Sequence, residues 1–275
     1  MKYVIGIDIG GSLTKICAFD ETGKLITPMS VRGSDPLASF YGAFGKFTQE
    51  NGISLSDISR LRVTGVGSSF VDSTTYGLPV ECVGEFEAVG RGGLYLTGLS
   101  DALVVSMGTG TAMVRAKKDE YRYLGGTGVG GGTLSGLAKQ ILNLDHVSHV
   151  CALARDGDLA HVDLRISDMT RKNIIPSLPA ETTAANFGKL SDLATPADRA
   201  LGIVNLVFET IGMMAVFAAR GEQVRDIVLT GRMAEEEQAG EIFANLSSMF
   251  HLNFLIPENA RYGTVIGAAL TSKEP

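Results

Sequence analysis

The chain has 275 residues, of which 45% are hydrophobic and 20% are charged. This composition is typical of a folded globular protein and excludes an intrinsically disordered chain. The net charge of −6, without a long Lys/Arg cluster, argues against nucleic acid as the main partner. No apolar run reaches the about 18 residues that a membrane span needs, because Asn205 and Glu209 interrupt the nearest candidate. We therefore expect a cytoplasmic protein without a membrane segment.

The first hundred residues predict four strands and two helices of an α/β fold. The first strand has an alternating, β-branched pattern. The first helix has a well-defined start, because Asp35 and Pro36 are a favourable N-cap and first helical residue and apolar residues follow at helical spacing. The predicted strands cover residues 3–9, 12–19, 25–30 and 60–64, and the predicted helices cover residues 35–51 and 87–96.

The same order returns in the rest of the chain, which indicates a loose internal repeat of strand, glycine turn, strand and hairpin. Residues 150–186 are more polar and rich in turns, and they predict an insertion. We therefore expect two lobes, residues 1–100 and residues 101–275, with the insertion near residues 150–186 of the second. The predicted strands cover residues 102–107, 112–116, 121–124, 227–230 and 253–256, and the predicted helices cover residues 134–141, 196–221, 235–250 and 262–270.

A glycine turn near the start of the chain has the residues of a phosphate-binding loop. Its sequence is Ile7-Asp8-Ile9-Gly10-Gly11-Ser12-Leu13-Thr14-Lys15. The glycines allow backbone N–H groups to approach a phosphate, and Ser12 or Thr14 can add a hydroxyl donor. Lys15 supplies a positive charge, and Asp8 can hold Mg²⁺ through water. Taken alone, the turn is explained as well by a plain Gly-Gly hairpin with a salt-bridged aspartate.

Three further glycine motifs strengthen the phosphate-binding interpretation. The turn Met107-Gly108-Thr109-Gly110-Thr111 repeats the first, and two such turns suit two sides of a cleft that holds one polyphosphate. Six glycines fall within residues 125–132, a density that is costly unless the backbone needs the freedom. A flexible linker is the alternative, but linkers are seldom bounded by a strand and an apolar helix. The fourth motif is the strand that ends in Thr230-Gly231.

These motifs resemble the phosphate and adenosine motifs of the actin/hexokinase/sugar-kinase superfamily. More narrowly, the order of five segments is similar to that of type II pantothenate kinases. The segments are Gly-Ile-Asp-x-Gly-Gly at the start, Glu85-Phe-x-Ala, Gly-Thr-Gly-Thr, the glycine run, and Thr183-Ala-Ala-Asn-Phe-Gly188. The resemblance implies two actin-like (ribonuclease H-like) α/β lobes with a nucleotide cleft between them. It also implies ATP and Mg²⁺ as cofactors, pantothenate as substrate, the first step of coenzyme A biosynthesis, and a homodimer.

The resemblance also assigns roles to individual residues. Glu85 matches the family's general base, and an alcohol acceptor needs such a carboxylate to take its proton. We expect Glu85 in a loop that precedes a helix, with Glu87 as the competing candidate. The implied magnesium ligand is Asp8. The implied nucleotide contacts are Asp8, Gly10, Gly11, Ser12, Leu13, Thr14, Lys15, Thr109, Gly131, Gly132, Thr133, Leu134, Ser135 and Gly231.

One departure leaves the identity of the acceptor open. The family has an arginine two residues before the glycine run that is expected to contact pantothenate, whereas this chain has Tyr123. Arg122 is one residue away, and neighbouring residues of a strand point to opposite faces. A kinase of another small alcohol is therefore an alternative.

The second alternative is an actin-like ATPase of the dehydratase-activator type. Those proteins usually bind an iron–sulfur cluster through cysteines, and the three cysteines here are far apart in the sequence. A homodimer would use the apolar helix over residues 196–221, whose composition requires burial in a core or against a partner.

Overall fold

The computed structural model describes residues 2–11, 13–33, 35–170 and 179–271. Within these residues the chain forms two main β-sheets, one small sheet and eight α-helices. The strands β1 to β13 are Tyr3–Ile9, Leu13–Asp20, Leu25–Arg32, Ile58–Thr64, Thr74–Thr75, Leu78–Cys82, Asp101–Met107, Thr111–Lys117, Glu120–Thr127, Leu164–Arg165, Thr183–Ala185, Asp226–Thr230 and Asn253–Leu255.

The helices α1 to α8 include two whose starts the sequence predicts. Asp35 accepts a hydrogen bond from the N–H of Ala38 at 2.7 Å, which confirms it as the N-cap of the first helix. Thr195 caps the sixth helix in the same way, and its hydroxyl accepts from the N–H of Asp198. The helices are Pro36–Glu50, Glu85–Thr97, Gly131–Leu142, Val147–Ala154, Ile166–Met169, Pro196–Gly221, Glu237–Phe250 and Gly263–Leu270.

The two main sheets have equivalent strand orders, which confirms the internal repeat. The first sheet has the order β3-β2-β1-β4-β6-β5, and the second has the order β13-β12-β7-β8-β9. In the first sheet β1, β2 and β3 are antiparallel neighbours, and β4 and β6 extend the sheet parallel to β1. In the second sheet β7, β8 and β9 are antiparallel neighbours, and β12 and β13 extend the sheet parallel to β7. Carboxyl ends of parallel strands lie at one edge of a sheet. The loops after β1, β4 and β6 therefore meet at one edge, and the loops after β7 and β12 meet at the corresponding edge of the second sheet.

Each main sheet is covered partly by a helix that follows the other main sheet in the chain. Helix α2 follows β6 of the first sheet but packs on β7, β8 and β9 of the second. Helix α8 follows the second sheet and packs on β1, β2 and β4 of the first. The two helices cross at glycines: a Cβ atom on Gly92 would lie 1.8 Å from the carbonyl oxygen of Gly263. This crossing therefore requires glycine at position 92.

Helix α6 is the central helix of the larger apolar core. It packs against α3, α4 and α7, and residues such as Phe208 and Ile211 are fully buried. Among the described residues it is the single helix long and apolar enough to cross a membrane, although 61% of its most apolar stretch is buried inside the protein. The expectation that Asn205 and Glu209 leave this segment too short in apolar residues for a membrane span is wrong. Its apolar composition is explained largely by the core, while Phe217 stays 64% exposed.

A buried carboxylate stabilises the start of α6. Asp198 accepts hydrogen bonds from the N–H groups of Thr195 at 2.8 Å and Asp158 at 2.7 Å. Burial raises the pKa of Asp198, but the hydrogen bonds that it accepts outweigh burial and lower the pKa from 3.8 to about 2. The ionised carboxylate of Asp198 therefore links the insertion region to the start of α6 by hydrogen bonds.

The structure corrects several expectations. Strands β5 and β6 were not predicted from the sequence. Glu85 is the first residue of α2 and does not lie in the preceding loop. Most of the glycine run lies in regular structure, since β9 extends to Thr127 and α3 begins at Gly131, so the loop is limited to residues 128–130. Residues 171–178 of the predicted insertion lie outside the described residues. The division of the chain at residue 100 stays a prediction.

Candidate functional site

The first glycine turn connects β1 and β2 and places two opposite charges side by side. Asp8 and Lys15 are directly opposite in the antiparallel pair, and Lys15 Nζ lies 3.3 Å from Asp8 Oδ2. Asp8 is 7% exposed, so its carboxylate is largely surrounded by protein. The N–H of Gly10 donates to the carbonyl of Leu13 at 3.1 Å and closes the turn. The turn therefore holds a lysine and an aspartate in fixed positions at the edge of the sheet.

Glu85 joins this pair from the start of α2, which follows β6 at the same edge of the sheet. Its pKa is raised above the ordinary value because neighbouring protein atoms partly exclude water, and the nearby charge of Asp8 raises it further, whereas Lys15 lowers it. The side chain nevertheless keeps an exposed surface. Three charged groups are thus close enough to influence one another, with Glu85 accessible from solvent.

Glu87, the competing carboxylate, is directed elsewhere. Arg91 is one helical turn further along α2, and its Nη2 lies 3.5 Å from Glu87 Oε1. The same guanidinium lies 3.5 Å from the carboxylate of Asp119 and stacks over the ring of Tyr121. Glu87 therefore belongs to a polar cluster on α2 and β9. This arrangement favours Glu85 over Glu87 as the group that faces Asp8 and Lys15.

The second glycine turn connects β7 and β8 and packs against the start of α3. The N–H of Gly131 donates to the carbonyl of Gly108 at 2.9 Å, and the N–H of Gly132 donates to the carbonyl of Thr109 at 2.8 Å. These two N–H groups already have protein acceptors. The glycine-rich sequence thus allows a turn and a helix start to approach closely, a reason that the sequence did not show.

The C-terminal Thr-Gly motif lies beside the same turn. Gly231 follows β12, has a φ of +90°, and a Cβ atom there would lie 2.4 Å from the carbonyl oxygen of Met107. Strands β12 and β7 are parallel neighbours, with Thr230 opposite Ser106. The structure therefore brings together the predicted residues of the second half, namely Thr109, Gly131, Gly132 and Gly231.

Other predicted contacts have different surroundings. Thr14 is buried, and its hydroxyl has no hydrogen-bond partner among the described residues, so it faces the protein interior. Thr133 uses its hydroxyl locally, where it donates to the carbonyl of Gly128 at 2.8 Å. Leu134 is fully buried in the larger core, and Ser135 is partly buried on α3. Gly11 has open space around its Cα atom. Leu13 is partly buried at the start of β2, and Ser12 lies outside the described residues.

A stacked pair of aromatic rings lies next to Glu85. Phe86 and Tyr123 have ring centroids 4.0 Å apart and an interplanar angle of 12°. Phe86 follows Glu85 in the first turn of α2, whereas Tyr123 lies on β9 ahead of the glycine run. Sequence reasoning singled out Tyr123 but did not pair it with Phe86. The sequence offered no signal for that pairing, because the contact is between distant segments.

The polar atoms at the first turn fit a magnesium site of the kind that a nucleotide completes. Mg²⁺ is usually held by one or two carboxylates, with water and substrate phosphates as the other ligands. Asp8 supplies one such carboxylate, and the described residues contain no group of three or more His, Cys, Asp or Glu that could hold a metal by themselves. Two cavities lie away from this turn: one of about 550 Å³ between α7 and β13, and one of about 460 Å³ beside α6.

Two sheets of equivalent order, each with a glycine turn at its edge, define the two-lobed fold of actin-like nucleotide-binding proteins. The activator of 2-hydroxyisocaproyl-CoA dehydratase from Clostridium difficile, solved with bound ADPNP, has this fold, with a TM-score of 0.69 and 16% identity over 98% of this chain and 93% of that chain. A ROK-family glucokinase from Streptomyces griseus, solved with glucose and AMPPNP, has a TM-score of 0.63 and 15% identity over 97% of this chain and 98% of that chain.

Sequence similarity is more specific than the fold. The chain belongs to the Fumble family, whose profile matches residues 98–251. It is also 28% identical to the type II pantothenate kinase of Oceanobacillus iheyensis, over 98% of this chain and 99% of that relative.

Proposed function

We propose that this chain is an ATP-dependent kinase that phosphorylates the primary hydroxyl of pantothenate, the first step of coenzyme A biosynthesis. The observation that carries the proposal is the position of Glu85, at the start of α2 and within electrostatic reach of Asp8 and Lys15. A carboxylate beside a phosphate-binding turn is what phosphoryl transfer to an alcohol requires. The similarity to a type II pantothenate kinase over nearly the whole chain supports the choice of acceptor.

In this proposal Glu85 acts as the general base. It accepts the proton of the acceptor hydroxyl while the hydroxyl oxygen attacks the γ-phosphorus of ATP, and the bond from that phosphorus to the β,γ-bridging oxygen breaks to release ADP. Its raised pKa makes the carboxylate of Glu85 a better proton acceptor than an ordinary surface glutamate. We therefore expect the acid limb of the pH profile of kcat/KM to lie above 4.5, the ordinary value of a glutamate pKa.

Lys15 and Asp8 have complementary roles at the phosphates. Lys15 is held 3.3 Å from Asp8 and supplies a positive charge to the transferring phosphoryl group. Asp8 would hold Mg²⁺ together with phosphate oxygens, and the bound ion would neutralise phosphate charge. The second turn, with Thr109, and the nearby Gly231 would bind the rest of the nucleotide from the other sheet.

We further propose a cytoplasmic homodimer that binds neither nucleic acid nor membrane. The net charge of −6 disfavours a polyanionic partner, and the mostly buried α6 is expected to be a core helix. The support for a dimer is the 64% exposed Phe217 on α6. Light scattering across a range of concentrations checks the dimer, and a monomer mass at every concentration would contradict it.

Two variants test the assignment of the base. Glu85→Gln keeps the size of the side chain and removes its ability to accept a proton, so we expect kcat to fall by about 10²- to 10⁴-fold. ATP affinity, measured by calorimetry, should stay close to that of the wild type. Glu87→Gln is the matched control, because it lies two residues along the same helix and pairs with Arg91. Loss of activity in Glu87→Gln with normal turnover in Glu85→Gln would reverse the assignment.

The ATPase-activator alternative has less support from the described residues. An iron–sulfur cluster needs several cysteines at one place. Cys17 packs in a small core between α8 and the first sheet, whereas Cys151 packs in the larger core around α6. Burial raises the pKa of both thiols, that of Cys151 to about 12, so both are held as neutral thiols. Neither environment is that of a cluster ligand.

A further inference from the structure

The Phe86–Tyr123 stack is an apolar surface that the fold leaves facing solvent. Phe86 is 38% exposed and Tyr123 is 47% exposed, although stacked aromatic rings usually contribute to a buried core. Each ring covers one face of the other, and both side chains keep a substantial exposed area. Exposed aromatic rings in contact with each other, next to a proposed catalytic carboxylate, are typical of a ligand-binding wall.

The position of the stack links the base to the second half of the site. Phe86 is adjacent to Glu85, so its backbone is fixed by the same first turn of α2. Tyr123 lies on β9, and a Cβ atom on Gly126 would lie 3.0 Å from the Tyr123 hydroxyl. The stack therefore spans from the start of α2 to the start of the glycine run. An acceptor whose hydroxyl lies at Glu85 can therefore place the rest of its chain against this surface.

The two arginines on the same segments as the stack, Arg91 on α2 and Arg122 on β9, are each paired with carboxylates. Arg122 precedes Tyr123, and its Nη2 lies 2.5 Å from Glu222 Oε2. Arg91, on α2, faces Glu87 and Asp119. These arginines are therefore compensated by carboxylates, and the surface of the stack itself is aromatic. Such a surface favours hydrocarbon and amide groups over a free carboxylate.

We propose that the Phe86–Tyr123 stack forms the uncharged wall of the acceptor pocket, where it packs against the hydrocarbon and amide part of the acceptor and does not bind the carboxylate. This inference rests on the proposed function. The pair is then a specificity determinant: the enzyme accepts pantothenate and also carboxylate-free analogues that keep the same primary hydroxyl. Both rings contribute to acceptor affinity, whereas ATP affinity is independent of them.

Steady-state kinetics with two acceptors test the inference. The acceptors are pantothenate and its alcohol analogue, in which a hydroxymethyl group replaces the carboxylate. For the wild type we expect the two KM values to agree within about threefold, because no charged contact distinguishes them. Phe86→Ala and Tyr123→Ala should each raise both KM values about tenfold or more, with kcat changed much less. Tyr123→Arg should lower the KM of pantothenate relative to the analogue by roughly ten- to a hundredfold.

The control variant is Tyr76→Ala. Tyr76 is also exposed and stacks on a phenylalanine, Phe44, but it lies in the turn before β6, at the opposite end of that strand from Glu85. Its removal should leave both KM values unchanged. Unchanged KM values in Phe86→Ala and Tyr123→Ala, or a wild-type preference for pantothenate of tenfold or more, would overturn the inference and leave the proposed function intact. A wild type that phosphorylates neither acceptor would overturn the proposed function and the inference together.

Discussion

A single added methyl group at the crossing of α2 and α8 should displace the proposed base. Gly92→Ala places a Cβ atom 1.8 Å from the carbonyl oxygen of Gly263, whereas ordinary contact begins at 3.4 Å. The Cβ atom is therefore too close by 3.4 minus 1.8 Å, about 1.6 Å, and one helix must move against the other to relieve this overlap. Overpacking of this kind usually costs about 1–3 kcal/mol.

The displacement should reach the active site because Glu85 is on the same helix. Glu85 is seven residues before Gly92, which is roughly 10 Å along an α-helix at 1.5 Å per residue. A rigid helix transmits the shift, and a misplacement of about 1 Å can lower the rate by about a hundredfold. We therefore expect Gly92→Ala to lower both the melting temperature and kcat, with a smaller effect on ATP affinity.

The matched control is Gly45→Ala, in the middle of α1. A Cβ atom on Gly45 would meet nothing within 4 Å, so the change tests helix propensity alone. We expect it to stabilise the protein by about 0.5–1 kcal/mol and to leave kcat unchanged. Thermal unfolding by circular dichroism and steady-state kinetics measure the two effects. A Gly92→Ala variant with the melting temperature and kcat of the wild type would refute the predicted clash. A lower melting temperature with unchanged kcat would refute the coupling to Glu85.

Lys15→Ala removes a charge from the first turn and Gly108→Val adds bulk to the second turn, so both should weaken ATP binding measured by calorimetry. Unchanged ATP affinity in both variants would refute the proposal that the two turns bind one nucleotide. Asp198→Asn should lower the free energy of unfolding at pH 7 by about 1–3 kcal/mol, because the buried carboxylate loses part of its hydrogen bonding. Ionised Asp198 stabilises the fold above the unfolded pKa of 3.8, and this contribution is lost as pH falls towards about 2. The difference between the two proteins in urea unfolding should therefore shrink at acid pH, and a constant difference would contradict this account.

Local signals in the sequence predicted the helices with defined starts. Asp35-Pro36 and Thr195-Pro196 place the first residues of α1 and α6 correctly, because an N-cap hydrogen bond involves only the next few residues. Helix α2 lacks that signal, since its N-cap is Gly84, which has no side chain to accept a bond. Glu85 was consequently expected in a loop. Its role as base and the roles of the other site residues stay predictions.

Contacts between distant segments could not be predicted in the same way. The stack of Phe86 on Tyr123 joins a helix start to an edge strand, and no periodicity in the sequence relates the two. The apolar composition of α6 predicted burial but could not distinguish a core from a dimer interface. The glycine run was expected as a loop, whereas close packing of the second turn on α3 explains much of it.

The exchange of α2 and α8 between the sheets has a consequence for biosynthesis. The first sheet is synthesised before the second, yet one of its faces is covered by residues 263–270, which follow the second sheet in the chain. Side chains such as Cys17 and Phe19 pack on Val265 and Ile266, so they remain exposed until those two residues have been synthesised. The first sheet can therefore be fully buried only after residues 263–270 have been synthesised, and we expect a chain that lacks these residues to be prone to aggregate.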